Sequence, residues 1–230
     1  MKPDAHLLTL VCWLCAAGGA IASNTTPFQA RCEREMRPKI VIESRDYGYR
    51  IDNTVPSRVL HNRALHSAAG DLMLGMTALE SRVEIESDGP ALQDGVSGAE
   101  CIAPRISVAL RYLPIQVYVA REFSPASCSY REILAHEMRH VQLYRELLPK
   151  VQTLVRGALA QRFAGAPLYA QAGQGLALLE RQVDTWLRPL IQAELAKVEI
   201  SQRSIDTDQE AFRLSSACSG ELALNLGGRY

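Results

Sequence analysis

The chain has 230 residues, enough for one hydrophobic core of ordinary domain size. Lys plus Arg and Asp plus Glu are equal at 25 each, which excludes a general basic field for nucleic acid or an anionic membrane surface. A hydrophobic share of 47% excludes wholesale disorder.

The first 22 residues read as an export signal. Lys2 supplies a positive start, Leu7 to Ala17 an apolar run, and Ala20-Ile21-Ala22 a small-x-small cleavage site, with the cut expected after Ala22. The run is short and rich in Ala and Gly, so no stable membrane span is expected. Residues 23–37 are a polar N-terminal extension, 38–220 one packed unit, and 221–230 a tail. Removing the leader takes away Cys12 and Cys15 and leaves Cys32, Cys101, Cys128 and Cys218. Four cysteines in an exported chain imply two disulfides, and sequence permits three connectivities. A bridge at Cys128 or Cys218 would pin the ends of the region that carries the motif described below.

Strands dominate the first half. Lys39-Ile-Val-Ile-Glu43 reads as a strand, with Tyr47-Gly-Tyr-Arg-Ile51 as its hairpin partner across Ser44-Arg45-Asp46. A short helix is expected around Ser57 to Ala64. Ser81 to Glu86 alternates polar and apolar and ends at a Ser-Asp-Gly-Pro turn, and residues 88–100 read as loop. Ile106, Val108 and Leu110 mark a further strand, broken at Leu113-Pro114, and Ile115 to Ala120 is another.

Helices dominate the second half. Ser129 and Glu132 form a capping-box pattern, and no Gly or Pro interrupts residues 129–148. Apolar residues recur at Ile133, Leu134, Val141, Tyr144, Leu147 and Leu148, and Pro149 is expected to stop the helix. Lys150 to Phe163 is a second amphipathic stretch. Leu176 to Gln202 is a long helical pattern bent at Pro189, and a last helix starts near Ser204-Ile-Asp-Thr-Asp. Strands first and helices later predict an α+β fold with a mostly antiparallel sheet.

Within the first of these helices, residues 136–140 read His-Glu-Met-Arg-His. Positions i and i+4 share a helix face, so His136 and His140 can grip one metal ion. Two imidazoles at that spacing suit Zn²⁺, and Glu137 between them is placed to act as general base toward a metal-bound water. Catalytic zinc usually takes three protein ligands and keeps one position open. A third His six residues beyond His140 is absent, since position 146 is Glu. His61 and His66 lie in an irregular stretch and read as surface residues. Carboxylates are better third ligands: Asp206, Asp208 and Glu210 cluster at the head of the last helix, and Glu180, Asp184 and Glu194 lie on the preceding one. The expected ligand is Glu210, with Asp206, four residues earlier on the same helical face, orienting one of the histidines.

The order of strand, short loop, HExxH helix and later ligand-bearing helix resembles the zincin class of metallopeptidases. That resemblance implies a zinc-dependent peptidase with an extended peptide or protein substrate paired along an edge strand, here Ile115 to Ala120. In whole layout the chain resembles a bacterial group of predicted secreted zinc-dependent proteases known mainly as a domain of unknown function. The points of contact are the leader, the strand-rich half with Cys101, the His136–His140 helix, the helical hairpin after it, and Ile205-Asp206-Thr207-Asp208. The chain departs from the group at its end, where Ile205 stands in place of a Tyr and no His or Gly follows until Gly220. The implied location is periplasmic or secreted. Two competing readings are a non-catalytic envelope binding or scaffold protein that keeps the metal site, and a helical domain held by disulfides with its histidines in solvent.

Overall fold

The computed structural model describes residues 25–63, 73–163 and 165–222. The expected leader, His66 and residues 223–230 of the expected tail lie outside them. The architecture is α+β, and four of the six strand pairings are antiparallel.

The polar stretch before the first strand is a helix, α1 (Pro27–Glu35). The Thr26 hydroxyl accepts from the Gln29 N–H, and the Gln29 side chain accepts from the Thr26 N–H. Thr-Pro-x-Gln is thus a capping box with proline at the first helical turn, a signal readable in the sequence.

The main sheet has three long strands, each interrupted once near its middle. One edge is β1 (Lys39–Asp46) followed by β2 (Tyr49–Asp52). The centre is β7 (Arg105–Tyr112) followed by β8 (Ile115–Val119). The other edge is β3 (Gly75–Ala78) followed by β4 (Ser81–Asp88). The expected hairpin between residues 39–43 and 47–51 does not form. Ser44-Arg45-Asp46, the intended turn, stays in β1 opposite Leu110 to Tyr112, and β1 and β2 both run parallel to the central strand. Gly48, at φ +81°, makes the kink between them, and its N–H donates to Asp46 Oδ1 at 2.7 Å. The parallel register passes straight through the kink, with Asp46 opposite Tyr112 and Tyr49 opposite Ile115. Alternation identifies strands; it says nothing of which strand pairs with which. A second correction follows from the same topology: Ile115 to Val119 is the central strand, between the edge strands β2 and β3.

A short helix, α2 (Ser57–Arg63), links the first edge to β3 and buries Leu60. A small antiparallel sheet of β5 (Ala91–Gln93), β6 (Ala99–Ile102) and β9 (Leu168–Gln171) occupies the stretch read as loop.

One face of the main sheet carries Ile42, Ile106, Val108, Leu110 and Tyr112 into the core. Against it lies α3 (Cys128–Phe163), 36 residues long and unbroken at Pro149. Its buried stripe of Val141, Tyr144, Leu148, Val151, Val155, Leu159 and Phe163 runs past the proline without a change of face. A proline inside a helix costs about 3 kcal/mol. Burying four further large apolar side chains beyond it, at about 1.5 to 3 kcal/mol each, outweighs that cost. The helical layer continues with α4 (Gly175–Gln182) and α5 (Arg188–Gln202), joined through a π turn at Val183–Leu187. Pro189 sits in the first turn of α5, and the wide turn before it absorbs the bend that the sequence places there. Buried Glu100 on β6 accepts from the N–H groups of Gly173 and Gly175 and so caps the start of α4. Tyr144 donates to Glu199 at 2.8 Å, fastening α5 to α3. The chain closes with α6 (Asp208–Ser216) and a 3-10 turn at Ala217–Gly220, and Leu222 is fully buried.

The cysteines pair as Cys32–Cys101 and Cys128–Cys218, closing loops of 69 and 90 residues in separation. On a chain-entropy account, each is worth about 4 to 5 kcal/mol. They differ in access. Cys32 and Cys101 are at 0% exposure, whereas Cys128 and Cys218 are part-exposed. Under native conditions a dithiol should therefore reduce Cys128–Cys218 first, with Cys32–Cys101 yielding only on global unfolding. Alkylation mapped by mass spectrometry at successive times checks this order; simultaneous labelling of all four thiols would contradict it.

Candidate metal centre

The helix that carries the motif starts one residue before the expected cap. The Ser127 hydroxyl accepts from the Tyr130 N–H at 3.1 Å and is the cap. Ser129 is already inside the helix, buried, and donates to Glu221 at 2.6 Å. Glu132 does not fold back on the cap and pairs with Arg213 at 2.7 Å.

One turn of α3 brings the two imidazoles together, with His136 Nε2 3.3 Å from His140 Nε2. The third member is Asp206, in the turn between α5 and α6. Its Oδ1 lies 3.2 Å from His136 Nε2 and 3.0 Å from His140 Nε2. These three atoms form a nearly equilateral triangle and are the only His, Cys, Asp or Glu group among the described residues able to hold a metal ion together. Donors around a tetrahedral Zn²⁺ at 2.0–2.1 Å stand about 3.4 Å apart, so the separations fit the donor set of one such ion.

Glu210 is not in this group; Asp206 stands in the place expected for it. The Glu210 carboxylate lies on the far side of His136, 3.2 Å from Nδ1, and pairs with Arg139 and Arg213. The reason is where the last helix begins. Thr207 is the N-cap of α6, its side chain accepting from the Glu210 N–H. Asp206 therefore precedes the helix, and the one-face relation between positions 206 and 210 does not apply. Thr-Asp-Gln-Glu is itself a capping-box pattern, and it is the signal that would have separated the two acids.

The outer nitrogens of both rings face acceptors. His140 Nδ1 lies 2.9 Å from Gln202 Oε1, at the end of α5. His136 Nδ1 lies between Glu210 Oε1 and the Arg139 guanidinium, which is 2.9 Å away. Nδ1–H donation to Gln202 in one ring and to Glu210 in the other would be the tautomers that free both Nε2 lone pairs for a metal ion. Arg139 then serves to neutralise Glu210. Gln202 is buried, and sequence reasoning missed it; a lone glutamine on an apolar helix carries no periodic signal.

The electrostatics favour a positive charge at the meeting point. Burial would raise the Asp206 carboxyl, but hydrogen bonds from His136 and His140 hold it far below the usual carboxylate range. His140 is raised although burial opposes this, because Asp206 and Gln202 stabilise its charged form. Hydrogen bonds from Arg213 bring Glu210 down to about 2, against burial, with Arg139 and His136 adding to the effect. Glu137 goes the other way: burial raises it, opposed by a hydrogen bond from Thr77 and by the two histidines. The histidine side chains are 11% and 10% exposed, whereas Asp206 is 57% exposed, so the group is closed on the helix side and open toward solvent at the carboxylate.

Of the other acids considered, Asp184 pairs with Arg188 at 3.6 Å, Glu194 with Lys197 at 2.6 Å, and Glu146 with Gln142 at 2.7 Å. None of Glu180, Asp208 or His61 belongs to the metal-competent group.

Replacing a metal ligand should cost more than replacing a group behind one. Glu210→Gln is expected to weaken binding of a divalent transition metal by about ten- to a hundredfold, and Asp206→Ala to weaken it by more than that. Competition against a chromophoric chelator measures both. A larger loss in the Glu210 variant would contradict this ordering.

The chain matches no protein-family model, no curated protein and no solved structure.

Proposed function

We propose that the protein is an exported zinc-dependent peptidase of zincin-like build. The observation that carries the reading is the convergence of His136 Nε2, His140 Nε2 and Asp206 Oδ1 on one point, with buried Glu137 on the same helix turn. Two imidazoles and one carboxylate are a donor set used by catalytic zinc, and the solvent-open side at Asp206 leaves room for a substrate group. Bound there, zinc would supply Lewis-acid polarisation of a scissile carbonyl and a water acidic enough to serve as nucleophile near neutral pH.

The remaining work belongs to the chain's own side chains. Glu137 takes the proton released at the nucleophile and passes it to the leaving amine. Its burial, which raises its affinity for a proton, suits it to hold that proton between the two steps. Gln202 and Glu210 fix the ring orientations. The edge strand β3, adjacent to Glu137, has no second strand partner among the described residues and would be the edge for an extended peptide, the place first assigned to Ile115 to Ala120. Two disulfides accord with a periplasmic or secreted location. No helix among the described residues is long and apolar enough to cross a membrane.

Glu137→Gln tests the reading. The variant should bind zinc at one ion per chain and lose peptide hydrolysis by at least about a hundredfold, read with quenched fluorogenic peptides. Hydrolysis that persists in Glu137→Gln, or a wild-type chain unable to take up Zn²⁺, contradicts it.

A further inference from the structure

Resting on the peptidase reading, we propose that β3 holds the general base in place: Thr77 and Gly75 are positioning residues for the Glu137 carboxylate. They sit two apart on one strand, so both face α3. The Thr77 hydroxyl donates to Glu137 Oε2 at 2.7 Å and lies 3.2 Å from the backbone carbonyl of the same residue. One proton serves the shorter contact, so the carboxylate is tied through Oε2.

Gly75 does the complementary work by absence. A Cβ there would lie 2.5 Å from Glu137 Oε1, 2.7 Å from Ile133 Cγ2 and 2.9 Å from Glu137 Cγ. The strand backbone is thus pressed against the glutamate side chain along most of its length. Glutamate has three rotatable bonds. Strand and hydroxyl together confine them and hold the carboxylate within electrostatic reach of His136, His140 and Asp206. Threonine is suited to the task, since its β-branch restricts χ1 and presets the hydroxyl. Neither residue touches the three metal-competent donors, so a change at either should act on the proton-transfer step and leave metal binding alone.

The test uses the zinc-loaded full chain and three variants. Thr77→Val keeps shape and removes the hydroxyl, Thr77→Ser keeps the hydroxyl, and Gly75→Ala intrudes on the carboxylate. Zinc stoichiometry should match the wild type in all three and each should melt cooperatively, Gly75→Ala at a lower temperature because of the intruding Cβ. On a fluorogenic peptide that the wild type cleaves, kcat should fall by about ten- to a hundredfold in Thr77→Val and Gly75→Ala. KM should stay within about twofold, and Thr77→Ser should keep most of the wild-type rate. Should Thr77→Val fail to fold, Gly75→Ala carries the same test. Unchanged kcat in the variants overturns the proposal, as does a Thr77→Ser rate as low as that of Thr77→Val. A wild-type chain that cleaves no peptide defeats the peptidase reading separately. Crystal structures of the zinc-loaded wild-type and Thr77→Val proteins then decide the positioning claim, upheld by a displaced Glu137 carboxylate and overturned by an unmoved one.

Discussion

The centre depends on one meeting: a carboxylate from the turn after α5 must reach two imidazoles on α3, 66 and 70 residues away in sequence. Like any long-range contact between charged groups, it has to be held by something other than itself. The apolar seam of α3 against the sheet and α5 fixes the two backbones. Tyr144 to Glu199 and His140 to Gln202 then set the axial position of α5, so that its last turn delivers Asp206 to the Nε2 atoms. The Cys128–Cys218 bridge closes the same circuit by joining the start of α3 to the segment beyond α6. Core, polar clamp and disulfide each constrain a different degree of freedom of one small group.

The same frame gives the centre two unlike sides. Behind the histidines stand Gln202, Glu210, Arg139 and Arg213, a screen of hydrogen bonds and opposed charges that orients the rings. On the strand side stands β3, with Gly75 and Thr77 against Glu137. Of the three metal-competent donors, Asp206 alone opens to solvent. A closed back and an open front would leave a bound ion a free position, whereas a purely structural site is saturated by protein.

Much of this was legible in the sequence where the signal is local. The 3.6-residue period and the i, i+4 histidines placed the motif on a helix, and alternation found strands at Ser81 to Glu86, at Ile106, Val108 and Leu110, and at Ile115 to Ala120, observed as Ser81–Asp88, Arg105–Tyr112 and Ile115–Val119. What failed was what local patterns do not encode. Pairing turned the expected hairpin at residues 44–46 into parallel strands, because Leu110 to Tyr112 competes for the same backbone groups. Burial carried α3 past Pro149, since a long apolar stripe outweighs one missing hydrogen bond. Asp206 stands in the metal-competent group where Glu210 was expected, because a cap at Thr207 put one outside the helix and the other inside. Gln202 and Thr77 were invisible for a different reason: a single polar residue acquires its role only from what tertiary packing sets beside it.

A crystal structure of the zinc-loaded protein, with anomalous scattering recorded at the zinc edge, tests the central claim most directly. The account predicts one ion bound by His136 Nε2, His140 Nε2 and an Asp206 oxygen, with Glu210 on His136 Nδ1 and one coordination position open to solvent. An ion ligated by Glu210, a site filled by four protein ligands, or no ion at the histidines would contradict it.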